Sequence, residues 1–133
     1  MIFYDEEHEE LFNKLCKKMP YLDGYHLSLA YLLTMDSVLR HHIGALYDVK
    51  KDVIIFEGLN KPFQTSTSLK TTRLAFNLWN GMVYDSDDPE TYIDTNGEKK
   101  YVPSKYYAPD TIFNCTYAPY YFESIKIRFE IFM

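Results

Sequence analysis

An almost uninterrupted apolar run over residues 25–35 is the feature that most constrains what this sequence can fold into. A buried β-strand is usually about four to eight residues long, so a run of this length favours a helix. Residues 25–35 are therefore predicted to form a central helix. The chain has 133 residues, which fits a single domain over residues 1–133. We therefore predict a mainly α-helical, compact domain around a central apolar helix, with a small β-hairpin or extended segments.

Residues 5–19 are predicted to form the first helix. Asp5 suits the N-cap, acidic residues fill the first turns, and lysines stand near the other end, as the helix dipole prefers. Pro20 then ends the helix. Another helix is predicted to start at Asp36 or Ser37, with an inward face of Val38, Leu39, Ile43, Leu46 and Tyr47.

Residues 69–80 show the strongest helical pattern. We expect them to form the hydrophobic helix around which the other helices assemble. The preceding residues 64–68 are rich in hydroxyl groups that cap helices. Gly81 suits the C-terminal end of this helix, where the backbone turns left-handed.

The rest of the chain is predicted to combine a hairpin with further helices. Residues 52–56 fit either a strand or an extended packing segment. Residues 92–102 are predicted to form a hairpin with Asn96 and Gly97 as its two-residue turn. Helices are predicted over residues 109–113, with Pro109 at the first position, and over residues 120–132, introduced by Pro119.

Composition excludes several classes of protein. The formal net charge is -5, and a negative chain repels the phosphate backbone, so direct nucleic-acid binding is not expected. Cys16 and Cys115 are isolated in the sequence, which favours two reduced, partly buried thiols. We see neither a signal-peptide pattern nor a membrane-spanning stretch, so we expect a cytoplasmic protein without membrane contact.

No catalytic, metal-binding or cofactor motif is recognised. His41 and His42 are adjacent and would point about 100° apart on a helix, while His8 and His26 stand alone. We therefore expect exposed or partly buried structural histidines, no metal and no cofactor. No nucleophile elbow is present and neither cysteine has a neighbouring histidine, so we expect the protein not to be an enzyme. A small hydrolase is the third-ranked alternative, because catalytic partners can meet in space.

Several stretches carry a family resemblance. They are residues 63–68 (FQTSTS), 72–81 (TRLAFNLWNG), 106–109 (YYAP), 112–113 (IF) and 121–129 (YFESIKIRF), together with residues 7–8 and 43–48. The sequence resembles a family of small proteins of unknown function from Firmicutes, their prophages and other mobile elements. The resemblance implies an accessory protein of a mobile element that acts in a bacterial cytoplasm, and it implies no activity.

Polar residues around the helix at 69–80 form the first candidate site. Arg73, Asn77 and Asn80 recur at helical spacing and so share one side. In one hypothesis Arg73 holds an anion, with Gln64, Thr65 and Ser66 at the helix start as further ligands. In the other, the same side chains form a structural hydrogen-bond network, in which residues 64–68 cap the helix and are braced by Asn77.

Tyrosines and acidic residues form the second candidate site. Tyrosine offers a large contact area and a polar tip, which suits interfaces, and the tyrosines crowd the second half of the chain. The candidate partner-binding residues are Tyr84, Asp85, Asp87, Asp88, Tyr92, Asp94 and Tyr101. The alternative is that several tyrosines only cover the core.

The leading functional hypothesis is a non-enzymatic protein-binding module of a phage or mobile element. Its expected partner is a host or phage protein with a basic surface, for example a defence factor such as a CRISPR nuclease. The alternative is a small-molecule or nucleotide-binding sponge that uses Arg73 and the helix start at 64–68. The sequence leaves the oligomeric state open.

Overall fold

A computed structural model gives the structure of the protein and describes residues 1–86 and 88–130. In this part of the chain the helices are α1 Glu6–Lys18, α2 Gly24–Met35, α3 Ser66–Asn80, α4 Pro109–Ile112 and α5 Ala118–Phe129. Two small antiparallel strand pairs join β1 Tyr47–Asp48 to β2 Val53–Ile54, and β3 Thr91–Ile93 to β4 Lys99–Tyr101. The predicted mainly α-helical fold is confirmed.

α2 is the central helix of the domain. Every residue from 28 to 35 is buried, and α1, α3 and α5 all pack against this helix. Its apolar side chains point in all directions, so each neighbour covers a different side. The prediction that the other helices would assemble around residues 69–80 is wrong. α3 covers one side of α2 and leaves its own outer side partly accessible, because its polar residues recur there.

The ends of α1 and α2 are held by charged side chains. Asp5 is the N-cap of α1, as predicted, and its carboxylate accepts the backbone N–H of His8 at 2.7 Å. Arg40 donates to that carboxylate and to the carbonyl oxygens of Thr34 and Met35 in the last turn of α2. These carbonyls have no partner within the helix, so the guanidinium satisfies them and ties the two helix ends together.

The helix predicted after Asp36 does not form. This segment makes two short 3-10 turns, Leu39–His41 and Ile43–Ala45, before it enters β1. Asp36 still caps, since its carboxylate accepts two backbone N–H groups of the next turn. The chain turns early because the buried Arg40 is held against the end of α2, and these tertiary bonds outweigh a weak local preference for helix.

A buried chain of hydrogen bonds joins three helix segments. The carboxylate of Asp36, just after α2, accepts the hydroxyl of Thr71 on α3 at 2.8 Å. The same hydroxyl lies 2.7 Å from the phenol oxygen of Tyr121 on α5. All three side chains are almost fully buried, so they need these partners and fix how the helices sit.

Both strand pairs are shorter than the patterns that indicated them. In the 52–56 run only Val53–Ile54 is a strand, and the chain then turns into the 3-10 helix Phe56–Asn60. The hairpin predicted at 92–102 is confirmed, but its two-residue turn is wrong: five residues, 94–98, separate β3 from β4. Asp94 accepts the N–H groups of Asn96 and Glu98, and Gly97 is left-handed with φ 78°. Asp94 at the first turn position therefore sets a longer turn with a bulge.

Proline marks the start of the two C-terminal helices, as predicted. Pro109 opens α4, and Pro119 lies in the first turn of α5. The predicted end of the last helix, at residue 132, lies outside the described residues. Within the described part of the chain, no helix combines the length and apolar character that crossing a membrane requires.

Candidate functional site

Arg73 is paired with Asp85 inside the protein. Its Nε and Nη2 atoms lie 2.9 and 2.8 Å from one carboxylate oxygen of Asp85, and its guanidinium lies over the ring of Tyr106, 4.8 Å from the centroid. The other Asp85 oxygen is buried and has no hydrogen-bond partner among the described residues. The ion pair therefore anchors the loop that follows α3.

Tyr107 completes this anchor. It is buried, and its hydroxyl donates to the carbonyl of Tyr84 at 3.3 Å. Burial, and then the adjacent Asp85 carboxylate, hold the pKa of Tyr107 above its usual range. Two of the proposed partner-binding residues, Tyr84 and Asp85, thus have structural contacts inside the protein.

Asn77 and Asn80 hold the turn after α3. The Asn77 side-chain amide donates to the Met82 carbonyl, and the Asn80 side-chain oxygen accepts the Met82 N–H, both at 3.0 Å. The expectation that Asn77 would brace residues 64–68 is therefore wrong. Both side chains line an open cleft of about 540 Å³, together with Tyr25, Trp79, Arg128 and their neighbours. Arg73 does not line this cleft.

Residues 64–68 are occupied by capping. Thr65 is the N-cap of α3 and forms a reciprocal capping box with Ser68. Gln64 accepts the Ser68 hydroxyl and donates to Thr72, while Ser66 begins the helix. The side chains of Gln64, Thr65 and Ser68 are used within the protein, whereas Ser66 is exposed, and this favours the structural hypothesis for this segment.

Two histidines are more buried than expected. His8 is 0% exposed: its Nδ1 accepts the Tyr4 N–H at 2.9 Å and its Nε2 donates to the Tyr31 carbonyl at 2.9 Å. These bonds fix a neutral ring with the proton on Nε2. Burial lowers the pKa of His8 to about 4. His41 and His42, by contrast, are exposed.

His26 forms the cluster that the sequence did not reveal. Its Nδ1 lies 2.7 Å from Asp23 and its Nε2 lies 2.9 Å from Asp52, which also accepts the Tyr47 hydroxyl at 2.6 Å. Burial disfavours the charged ring, but the hydrogen bonds to the two carboxylates outweigh this effect and raise the pKa of His26. The indole of Trp79 packs edge-on against the imidazole, with ring centroids 4.8 Å apart.

This cluster is suited to holding elements together. Both imidazole nitrogens are occupied by carboxylates, so neither is free to take a proton from a bound substrate. Asp23 caps α2, whereas Asp52 lies in the turn between β1 and β2 with a left-handed φ of 55°. Over residues 1–86 and 88–130, no three histidine, cysteine or acidic side chains are arranged to hold a metal ion.

The hairpin of β3 and β4 is the most exposed element. All six of its strand residues are exposed, including Tyr92 at 50%, Ile93 at 66% and Tyr101 at 54%. Asp88 is exposed nearby, Asp94 is engaged in the turn, and Asp87 lies outside the described residues. The Tyr101 ring lies 5.5 Å from that of Tyr84, which connects the hairpin to the body. Other tyrosines of the second half, such as Tyr117 and Tyr121, do cover the core.

Comparison of the sequence with known protein families places this helical domain in one of them. Residues 1–132 match the model of a family of unknown function, DUF6075, and the chain belongs to this family. No curated protein and no solved structure matches the chain.

Proposed function

We propose that this protein is a non-enzymatic binding module that recognises another protein through its hairpin arm, residues 91–101. The observation that carries the proposal is that all six strand residues of the arm are exposed. A two-stranded hairpin without cover is marginally stable in water. A partner that covers the arm would stabilise it and bury apolar area in the same step.

The side chains of the arm suit a protein partner. Tyr92, Ile93 and Tyr101 are each at least half exposed, and they lie within two paired strands of three residues. Strand alternation places Ile93 and Tyr101 on one face of the hairpin and Tyr92 on the other, so each exposed face offers an aromatic or aliphatic group of the kind found at interfaces. Each strand also keeps one edge unpaired within its two-stranded sheet, which allows a partner strand to add there.

Acidic residues contribute less to the surface of the hairpin arm than the sequence predicted. Asp85 is paired with Arg73, Asp94 accepts N–H groups of the turn, and Glu98 pairs with Lys100. Asp88 and Glu90 are exposed at the base of the arm. We therefore propose a partner that meets the arm through aromatic and backbone contacts, with basic groups opposite its base.

The cellular setting is part of the proposal. We infer an accessory protein of a phage or other mobile element, acting in the cytoplasm of the bacterial host and inhibiting a defence factor such as a CRISPR nuclease. The net charge of -5 supports a protein partner over direct contact with nucleic acid.

Site-specific photocrosslinking in bacterial cells tests the proposal. A photoreactive phenylalanine analogue is placed at Tyr92 or, as a matched control, at Tyr21, another exposed tyrosine. We expect a discrete adduct of defined mass from position 92 and none of that mass from position 21. Identical adduct patterns from both positions, or no adduct from position 92, would contradict binding through the arm.

A second candidate function is supported by the cleft beside Asn77 and Asn80. Its volume of about 540 Å³ lies in the range of small-molecule sites. The C-terminal ends of α3 and α5 both border the cleft. Their partial negative charge offsets the positive charge of Arg128. This balance favours a neutral ligand rich in hydrogen-bond donors over a nucleotide. A thermal-shift screen tests it: stabilisation by nucleosides, and not by nucleotides or inorganic phosphate, is the expected result.

A further inference from the structure

A second surface of this protein is an apolar groove between α1 and the segment that leads into β1. Its volume is about 320 Å³, and its walls include Leu11, Leu15, Ile43 and Val49. Leu15 is buried, while the other three are only half-buried. The groove lies outside the hairpin arm and shares no residue with the cleft beside Asn77.

One wall of the groove carries two parallel rows of side chains. Leu11 and Leu15 stand one helical turn apart on α1, and Lys14 and Lys18 stand one turn apart beside them. Side chains at this spacing are about 6 Å apart along a helix. The wall therefore presents an apolar row and a basic row with the same repeat.

The lysines on this wall are available for a partner. Neither Lys14 nor Lys18 forms an ion pair within residues 1–86 and 88–130, and both are exposed. Lys50 and Lys51, which follow the groove residue Val49 in the chain, are exposed as well. In a protein with a net charge of -5, two exposed lysines thus line the apolar groove.

We propose that this groove binds an acidic amphipathic helix of a partner protein. The helix would place apolar side chains, one turn apart, between Leu11, Leu15 and Ile43. Its acidic side chains, at the same spacing, would meet Lys14 and Lys18. A helix has the repeat that both rows share, whereas an acyl chain or a membrane surface has no such spacing.

A synthetic probe tests the proposal directly. The probe is a fluorescein-labelled, alanine-based helical peptide with a leucine row and a glutamate row, each repeating every four residues, and the control peptide carries lysine in place of glutamate. Fluorescence anisotropy with the full chain should show saturable binding of the acidic peptide and at least about tenfold weaker binding of the basic one. Raising the salt concentration should weaken the acidic complex, because the charges lie at an open surface.

Two variants locate the binding site. The double variant Lys14→Glu/Lys18→Glu reverses the basic row. The variant Gly44→Leu adds a bulky side chain at a residue that lines the groove, and a Cβ atom there meets nothing within 4 Å, so the chain tolerates it. Each should weaken binding of the acidic peptide at least about tenfold, while circular dichroism still shows the helical fold. Lys61→Glu/Lys105→Glu, a matched reversal of two exposed lysines that do not line the groove, should change it less than about twofold.

Several outcomes would overturn the proposal. One is equal binding of the acidic and basic peptides, and another is no saturable binding of either. A third is loss of binding in the control reversal to the same extent as in the groove variants. Palmitate or anionic phosphatidylglycerol vesicles that bind while the peptide does not would also overturn it, because the groove would then serve a lipid.

Discussion

The Nε2 atom of His26 lies 2.9 Å from Oδ1 of Asp52, and this bond connects the first turn of α2 to the turn between β1 and β2. Asp23 holds the other imidazole nitrogen at 2.7 Å. His26 is only 6% exposed, so water has little access to its imidazole. The two carboxylates therefore stabilise the charged form of the ring in place of water. This clamp of one imidazole between two carboxylates positions the β1–β2 turn beside the central helix.

Replacing Asp52 with asparagine tests the clamp. Asparagine tolerates the left-handed backbone of this position, with φ 55°, so the change removes mainly the charge. We expect the pKa of His26 to fall, because a carboxylate that stabilises the imidazolium is lost. NMR titration of the imidazole resonances measures it. Asp48→Asn, at the other end of the same turn, is the control and should leave the His26 titration unchanged.

The pH dependence of folding gives an independent test of His26. Because its pKa is raised above the value of 6.5 in the unfolded chain, its contribution is complete below pH 6.5. The contribution is lost as the pH rises through the folded-state pKa. We expect the free energy of unfolding to decline over that interval in the original chain and to decline less in Asp52→Asn. An equal decline in both would contradict the clamp.

His8 should produce the opposite slope at lower pH. Its folded-state pKa is about 4 against 6.5 in the unfolded chain, so the unfolded chain takes up a proton first as the pH falls. Between pH 6.5 and pH 5 this difference should cost about 2 kcal/mol of stability. Urea unfolding measured across that interval, in the original chain and in His8→Gln, checks it. The variant should lose this part of the slope, and an unchanged slope would show that another group is responsible.

Two glycines should respond oppositely to the same substitution. A Cβ atom at Gly24 would collide with the backbone carbonyl of Arg128 on α5, whereas one at Gly44 would meet nothing within 4 Å. We expect Gly24→Ala to lower the free energy of unfolding by about 2 kcal/mol or more, because neither backbone can move away easily. Gly44→Ala should change it by less than about 0.5 kcal/mol. Denaturant unfolding compares them, and equal effects would contradict the contact between α2 and α5.

The helices could be predicted because their signals are local. Asp5 caps α1, the 25–35 run has no polar side, and Gly81 is left-handed where α3 ends. The segment after Asp36 could not be predicted, because the buried bonds of Arg40 to the end of α2 decide its path. These bonds depend on a chain path that periodicity does not describe.

In the candidate sites, too, local features could be predicted from the sequence and long-range contacts could not. Capping by residues 64–68 follows from residue types at close spacing, and the structure contains the capping box. The pairing of Arg73 with Asp85 and of His26 with Asp52 depends on side chains far apart in the sequence, 12 and 26 residues respectively. The exposed hairpin was indicated by its turn residues and tyrosines, but its lack of cover is a property of the assembled fold.

The helix start at Thr65 gives a test of capping against anion binding. Its side-chain oxygen accepts the Ser68 N–H at 3.0 Å, so Thr65→Ala should cost about 1 kcal/mol of stability. Ser66→Ala, one residue on and exposed, should cost less than about 0.5 kcal/mol. Thermal unfolding with and without about 10 mM phosphate distinguishes capping from anion binding. Phosphate that stabilises the original chain but not Thr65→Ala would support an anion site instead.

The central claim is that the hairpin arm is held out for a partner and is not needed for the fold. The most direct measurement is the free energy of unfolding of Tyr92→Ser/Ile93→Ser/Tyr101→Ser, compared with the original chain by urea denaturation. Because these side chains are at least half exposed, we predict a change of less than about 1 kcal/mol. A loss of about 3 kcal/mol or more would show that the arm is part of the core and would contradict the claim.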